Sequence, residues 1–181
     1  MSAHSPAIMT MEGPQRPQKR IIHWTRSAFA GVIGGALLIT LEMFLLPLAG
    51  KGTMWDPVRL SASIALGNNA ITMSHPFTFD IFFVGTFMHL VLSVLYAAIL
   101  GLVIRRMQPP SAVAVGILFG LALYFFHFYG LASFYPWVVG FRNGIVIFSH
   151  LVFGASTAWI FSHLHRRQLL REEATLDKSA R

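Results

Sequence analysis

Four ionisable residues lie inside long apolar runs of the chain: Glu42, His89, His127 and His150. Ionisable side chains at membrane depth are rare and mark ion, proton or ligand sites. Two of the histidines share a local sequence, Phe87–Met88–His89–Leu90–Val91 and Phe148–Ser149–His150–Leu151–Val152, and each stands 16 residues before an arginine pair, Arg105–Arg106 or Arg166–Arg167. Glu42 is likewise 16 residues from Arg26, and His127 is 16 residues from Ser111, which follows Pro109–Pro110. At 1.5 Å per residue that interval is ~24 Å of helix. In a ~30 Å hydrocarbon core it places all four about one turn below the outer surface.

Turned inward, the four form a layer of three imidazoles and one carboxylate. That donor set suits copper, zinc or iron ions. Alternatively, His89 and His150 are axial ligands of a b-type haem between the second and fourth spans. Tyr124, Tyr129 and the aromatic run around His127 would then pack the macrocycle, Arg142, Arg59 or Lys51 would meet its propionates, and Glu42 and His127 would support the ligands. Either cofactor fits electron transfer, metal handling or a small subunit of a respiratory-type complex. A different class of reading has Glu42 titrate against the histidines in a small transporter or proton path. A third makes each histidine polar glue worth about 1 kcal/mol or less, with Glu42 bonded to a carbonyl or to His127, in a structural or assembly subunit.

The elements that carry these residues are membrane spans. The 181 residues are 55% hydrophobic and 12% charged, about half the charge of a soluble domain. The pattern predicts an all-α, polytopic four-helix bundle with spans at about 27–48, 82–104, 112–131 and 144–161. Residues 1–23 read as a flexible tail, 24–165 as the membrane domain and 166–181 as a second tail. The first span is too long for the core of a cleaved signal and reads as a signal anchor. In the longest connection, Asp56–Pro57 starts a short helix, with Asp56 as its cap, and Gly67–Asn68–Asn69 stops it. Its apolar residues and Trp55 predict an interfacial helix at about 57–66, either lying on the outer surface or acting as a lid.

Lys and Arg number eleven on the side of the termini and three on the other (Lys51, Arg59, Arg142). Both termini are therefore expected in the cytoplasm, with Arg26, Arg105, Arg106, Arg166 and Arg167 as anchors. The net charge of +7 flanks the spans and forms no basic stripe interleaved with exposed aromatics, so nucleic acid is not an expected partner. The expected partners are the lipid bilayer and a larger membrane complex or a second copy of the chain. No cysteine is present, which excludes disulfides and thiolate ligands. No phosphate loop, zinc-protease motif or Ser-His-Asp set appears, so nothing points to a hydrolase. His75 reads as loop, and His163 and His165 as interfacial polar tips.

Aligning His89 with His150 (offset 61) pairs Phe-x-His-Leu-Val and Arg-Arg with their second copies, and aligning Gly31 and Gly35 with Gly116 and Gly120 (offset 85) sets Glu42 opposite His127. This predicts a tandem duplication of a two-helix hairpin with a pseudo-twofold axis along the membrane normal. The pattern Leu41–Glu42–Met43, Phe79–Asp80, His89–Leu90, Phe128–Tyr129–Gly130, Pro136–Trp137 and His150–Leu151–Val152–Phe153–Gly154 resembles a group of small proteobacterial four-helix membrane proteins, some labelled sodium:proline symporter. The resemblance covers about residues 27–165 and implies a bacterial inner-membrane location.

Overall fold

The computed structural model describes residues 24–72 and 77–180. The expected N-terminal tail, His75 and the final Arg181 lie outside the described residues. The four spans form as α1 (Trp24–Leu48), α4 (Phe79–Ile104), α5 (Pro109–Phe125) and α6 (Gly144–Ala180), with the short helices α2 (Asp56–Leu66) and α3 (Asn69–Thr72) between the first two. All four spans are long and apolar enough to cross a bilayer. Their outer surfaces are correspondingly inverted, with Phe44, Phe83, Phe87 and Leu118 63–66% exposed. An apolar exterior of that kind belongs in lipid, and the protein is an integral, multi-pass membrane protein.

Local sequence sets the ends. Gly50 and Gly67, at φ +62° and +73°, turn the chain out of α1 and α2. The Gly67 amide donates back to the Ser63 carbonyl at 2.9 Å, closing α2 as its glycine stop predicts. Asp56, expected as the cap of α2, lies inside its first turn and instead accepts from the Thr53 amide and hydroxyl at 2.8 and 2.6 Å. Beyond Gly154 the chain has no glycine or proline. Nothing therefore stops α6 at Phe161, and it runs on to Ala180 through the expected C-terminal tail.

The spans pack in the order α4–α1–α6–α5, and α4 and α5 hardly touch. A full pseudo-twofold would require the α4–α5 seam to match the close α1–α6 seam, so the packing lacks that symmetry. Inside each hairpin, however, corresponding positions meet. A Cβ on Gly31 would lie 2.7 Å from the Ser93 carbonyl and 2.8 Å from Ala97 Cβ. Gly116 is pressed in the same way against the Gly154 carbonyl, with a Cβ there 2.6 Å from Ala158 Cβ. These are the pairs that the offsets of 85 and 61 equate.

The helix α2 packs on α4, burying Pro57, Val58, Ala62 and Ser63, and the Val58 carbonyl sits where a Gly85 side chain would be. Trp137 Nε1 donates to Ser63 Oγ at 2.9 Å, and Arg59 Nε donates to the Ala70 carbonyl at 3.1 Å. The helix α2 is thereby tied down over one end of the bundle.

Candidate functional site: a histidine–glutamate cavity

The helical repeat puts His89, Ser93 and Tyr96 of α4 on one face. Ser93 Oγ donates to the His89 carbonyl at 2.7 Å, and His89 Nε2 lies 2.8 Å from the Gly35 carbonyl. A carbonyl only accepts, so Nε2 carries the hydrogen and Nδ1 holds the lone pair of the neutral ring. This contact needs Gly35, since a Cβ there would fall 2.7 Å from Ser93 Cβ and 3.3 Å from His89 Nε2.

On α6, His150 Nδ1 donates to the Val146 carbonyl at 2.8 Å, which leaves its Nε2 as acceptor. That Nε2 faces His127 Nδ1 at 3.4 Å, and His127 Nε2 is 2.8 Å from the Tyr96 hydroxyl. The carbonyl at one end thus orders the whole chain. Tyr96 O–H donates to His127, His127 Nδ1–H donates to His150, and His150 Nδ1–H donates to Val146. Three helices contribute to one directed hydrogen-bond chain.

His127 reaches this position through a π-helical turn, Phe126–Gly130, which continues α5 and is closed by the Leu131 amide on the Phe126 carbonyl at 2.9 Å. Single π turns inside α-helices are frequent at functional sites because the extra residue re-aims side chains. Here His127 turns inward while Phe125, Phe126 and Tyr129 are about half exposed. Arg142 steadies the turn. Its Nε and Nη2 both donate to the Phe128 carbonyl, at 2.9 and 2.6 Å, and its guanidinium stacks 3.8 Å over the Tyr129 ring. Tyr124 is buried and meets the His150 ring edge-to-face at 5.9 Å. The sequence-level supporting residues therefore hold the turn and the His150 ring. Arg142 and Arg59 both donate to backbone carbonyls, those of Phe128 and Ala70.

Glu42 is 5% exposed, its Oε1 lies 3.9 Å from His150 Nδ1, and that oxygen has no hydrogen-bond partner among the described residues. A buried carboxylate without a donor or a cation is costly. Glu42 and His150 are thus near enough for one water to bridge them.

All four ionisable residues line one cavity of about 110 Å³. Leu38, Leu123 and Phe153 supply apolar wall, and Leu60, Ser61, Ser63 and Ile64 of α2 roof it. At ~10–15 Å³ of such space per water, it has room for several. A haem between α4 and α6 would need His89 and His150 to face each other across a flat macrocycle. Instead α1 packs against both helices, and His89 turns its Nε2 to a carbonyl of α1. Among the described residues, no three histidine, aspartate or glutamate side chains converge to hold a metal ion. The remaining sequence-level residues Arg26, Arg105, Arg106, Arg166 and Arg167 cluster at the opposite end of the bundle, where Arg26 Nη1 donates to His165 Nδ1 at 3.0 Å. Sequence reasoning missed Tyr96, Ser93, Ser63 and Trp137; the polar spacing His89–Ser93–Tyr96 was the available signal for the first two. No family model, curated protein or solved structure matches the chain.

Proposed function

We propose that the protein is a proton-path protein of the small-transporter class, carrying protons through the histidine–glutamate cavity of a bacterial inner membrane. The observation that carries this reading is the directed chain Tyr96–His127–His150 ending 3.9 Å from an unpartnered Glu42 oxygen. In one transfer, His127 takes a proton at Nε2 from Tyr96, which regains one from a hydronium ion entering from solvent. His127 then passes its Nδ1 proton to His150 Nε2, and His150 passes its Nδ1 proton to the ionised Glu42 through one bridging water. Both rings end neutral in the opposite tautomer, and once Glu42 has released its proton onward the starting tautomers are restored by ring rotation. His89, fixed on Gly35, keeps its lone-pair nitrogen for cavity water or solute. Protein treated with a chelator and reconstituted into liposomes is expected to keep its pH-gradient-driven proton flux. Loss of the flux on chelation, with recovery on adding metal, would overturn the reading.

That outcome would favour a second reading, a single copper, zinc or iron ion. Its supporting observation is the 3.4 Å between His127 Nδ1 and His150 Nε2, close to the edge of a tetrahedron with metal–nitrogen bonds of about 2.0–2.1 Å. Glu42 would be the nearest further ligand. Elemental analysis of the purified protein decides it, since stoichiometric metal lost in His127→Ala and His150→Ala is the signature.

A further inference from the structure

At the end of the bundle away from Glu42, a second cavity of about 360 Å³ opens between the α4–α5 turn and α6. Arg105, Arg106 and Arg166 stand on its wall, with His165 and Ser162 beside them and Ile104 and Phe161 forming an apolar floor. No acidic residue is among the described residues that line it. The N-terminus of α5 borders the same space through Gln108, its cap in an extended conformation, and Pro109. It adds the positive end of a helix dipole. The wall is braced, because Arg26 of α1 donates to His165 and the His165 ring stacks on Phe161 at an interplanar angle of 13°. Immediately below the arginines, Leu102 and Val103 are 58% and 54% exposed on the lipid-facing surface.

We infer that this cavity binds the phosphate of an anionic phospholipid, held by Arg105, Arg106 and Arg166, with the acyl chains running down Leu102 and Val103. Guanidinium forks match phosphate oxygens in geometry as well as charge. Basic pockets between spans at the membrane edge recognise anionic headgroups on the same principle. The apolar floor and the exposed Leu102 and Val103 beside the arginines favour a lipid over free phosphate, which would gain nothing from either.

The test is native mass spectrometry of the full chain released from bilayers of phosphatidylcholine with a minor fraction of phosphatidylglycerol. Wild-type protein is expected to retain phosphatidylglycerol selectively. The Arg105→Gln/Arg166→Gln double variant should lose retention by roughly tenfold or more, the loss of two charge-assisted contacts. Arg105→Lys/Arg166→Lys, which keeps the charge without the fork, should fall between, and Lys178→Gln on the distal part of α6 should match wild type. Equal retention of phosphatidylcholine, or an equal loss in Lys178→Gln, would overturn the site. Displacement of the lipid by excess inorganic phosphate would overturn the lipid assignment in favour of a soluble phosphate. Should the double variant not fold, selectivity and salt-dependent release in wild type decide the matter alone.

Discussion

Tyr96 is where the site departs most from what composition and spacing reveal. Its phenol sits in an apolar run and reads as packing, whereas Glu42, His89, His127 and His150 stand out as the ionisable residues of the four spans. Which nitrogen donates to which acceptor was not legible at all, because it depends on the Val146 and Gly35 carbonyls, which acquire positions only when α6 and α1 are in place. The directed chain makes Tyr96→Phe a sharp probe. The ring stays, the donor to His127 goes, and proton flux should fall by roughly 100-fold, the low end for loss of a positioned proton donor. Unchanged flux in that variant would remove Tyr96 from the path. A buried polar group outside the site behaves differently. Thr157 Oγ1 is buried without a hydrogen-bond partner among the described residues, next to Gly34 on the α1–α6 seam. Thr157→Val keeps the shape and removes the unsatisfied hydroxyl, so the midpoint of unfolding in detergent should rise, corresponding to about 1 kcal/mol.

The helices themselves were largely readable, since hydropathy sets the spans and Gly67 and the diproline set two of their boundaries. The π turn at Phe126–Gly130 was not, because an all-aromatic stretch shows no change of period when one residue is added to a turn. Nor was the order α4–α1–α6–α5. The glycine spacing gives close approach within each hairpin, and the matched contacts Gly31–Ser93 and Gly116–Gly154 follow the two sequence offsets, but the docking of one hairpin on the other breaks the symmetry. The glycines also position the chemistry. A Cβ at Gly120 would collide with the His150 carbonyl. Gly120→Ala should therefore push α5 from α6, costing about 1–3 kcal/mol, and should suppress flux although every ionisable residue remains. A variant that is destabilised yet conducts normally would show that the His127–His150 spacing is not critical.

For the whole molecule, four antiparallel spans place the start of α1 and the end of α6 on the same side, where Arg26 meets His165. The charge asymmetry then predicts that reporters fused to either terminus are active in the cytoplasm, and a reporter inserted in the 49–55 connection is active only outside. The opposite pattern would invert the site, placing the cavity near the cytoplasmic leaflet. In either orientation the molecule has an ionisable cavity near one surface and an arginine-walled one at the other, with the buried hydroxyl of Thr157 between them on α6. The decisive property is whether protons pass through the first of these. Proton flux into liposomes under an imposed pH gradient, measured side by side for wild type and Glu42→Gln, tests this most directly. Flux well above that of protein-free liposomes, falling to their level when Glu42 becomes a non-titrating amide of the same shape, is the predicted result. Equal flux from the two proteins, or none from wild type, would contradict it.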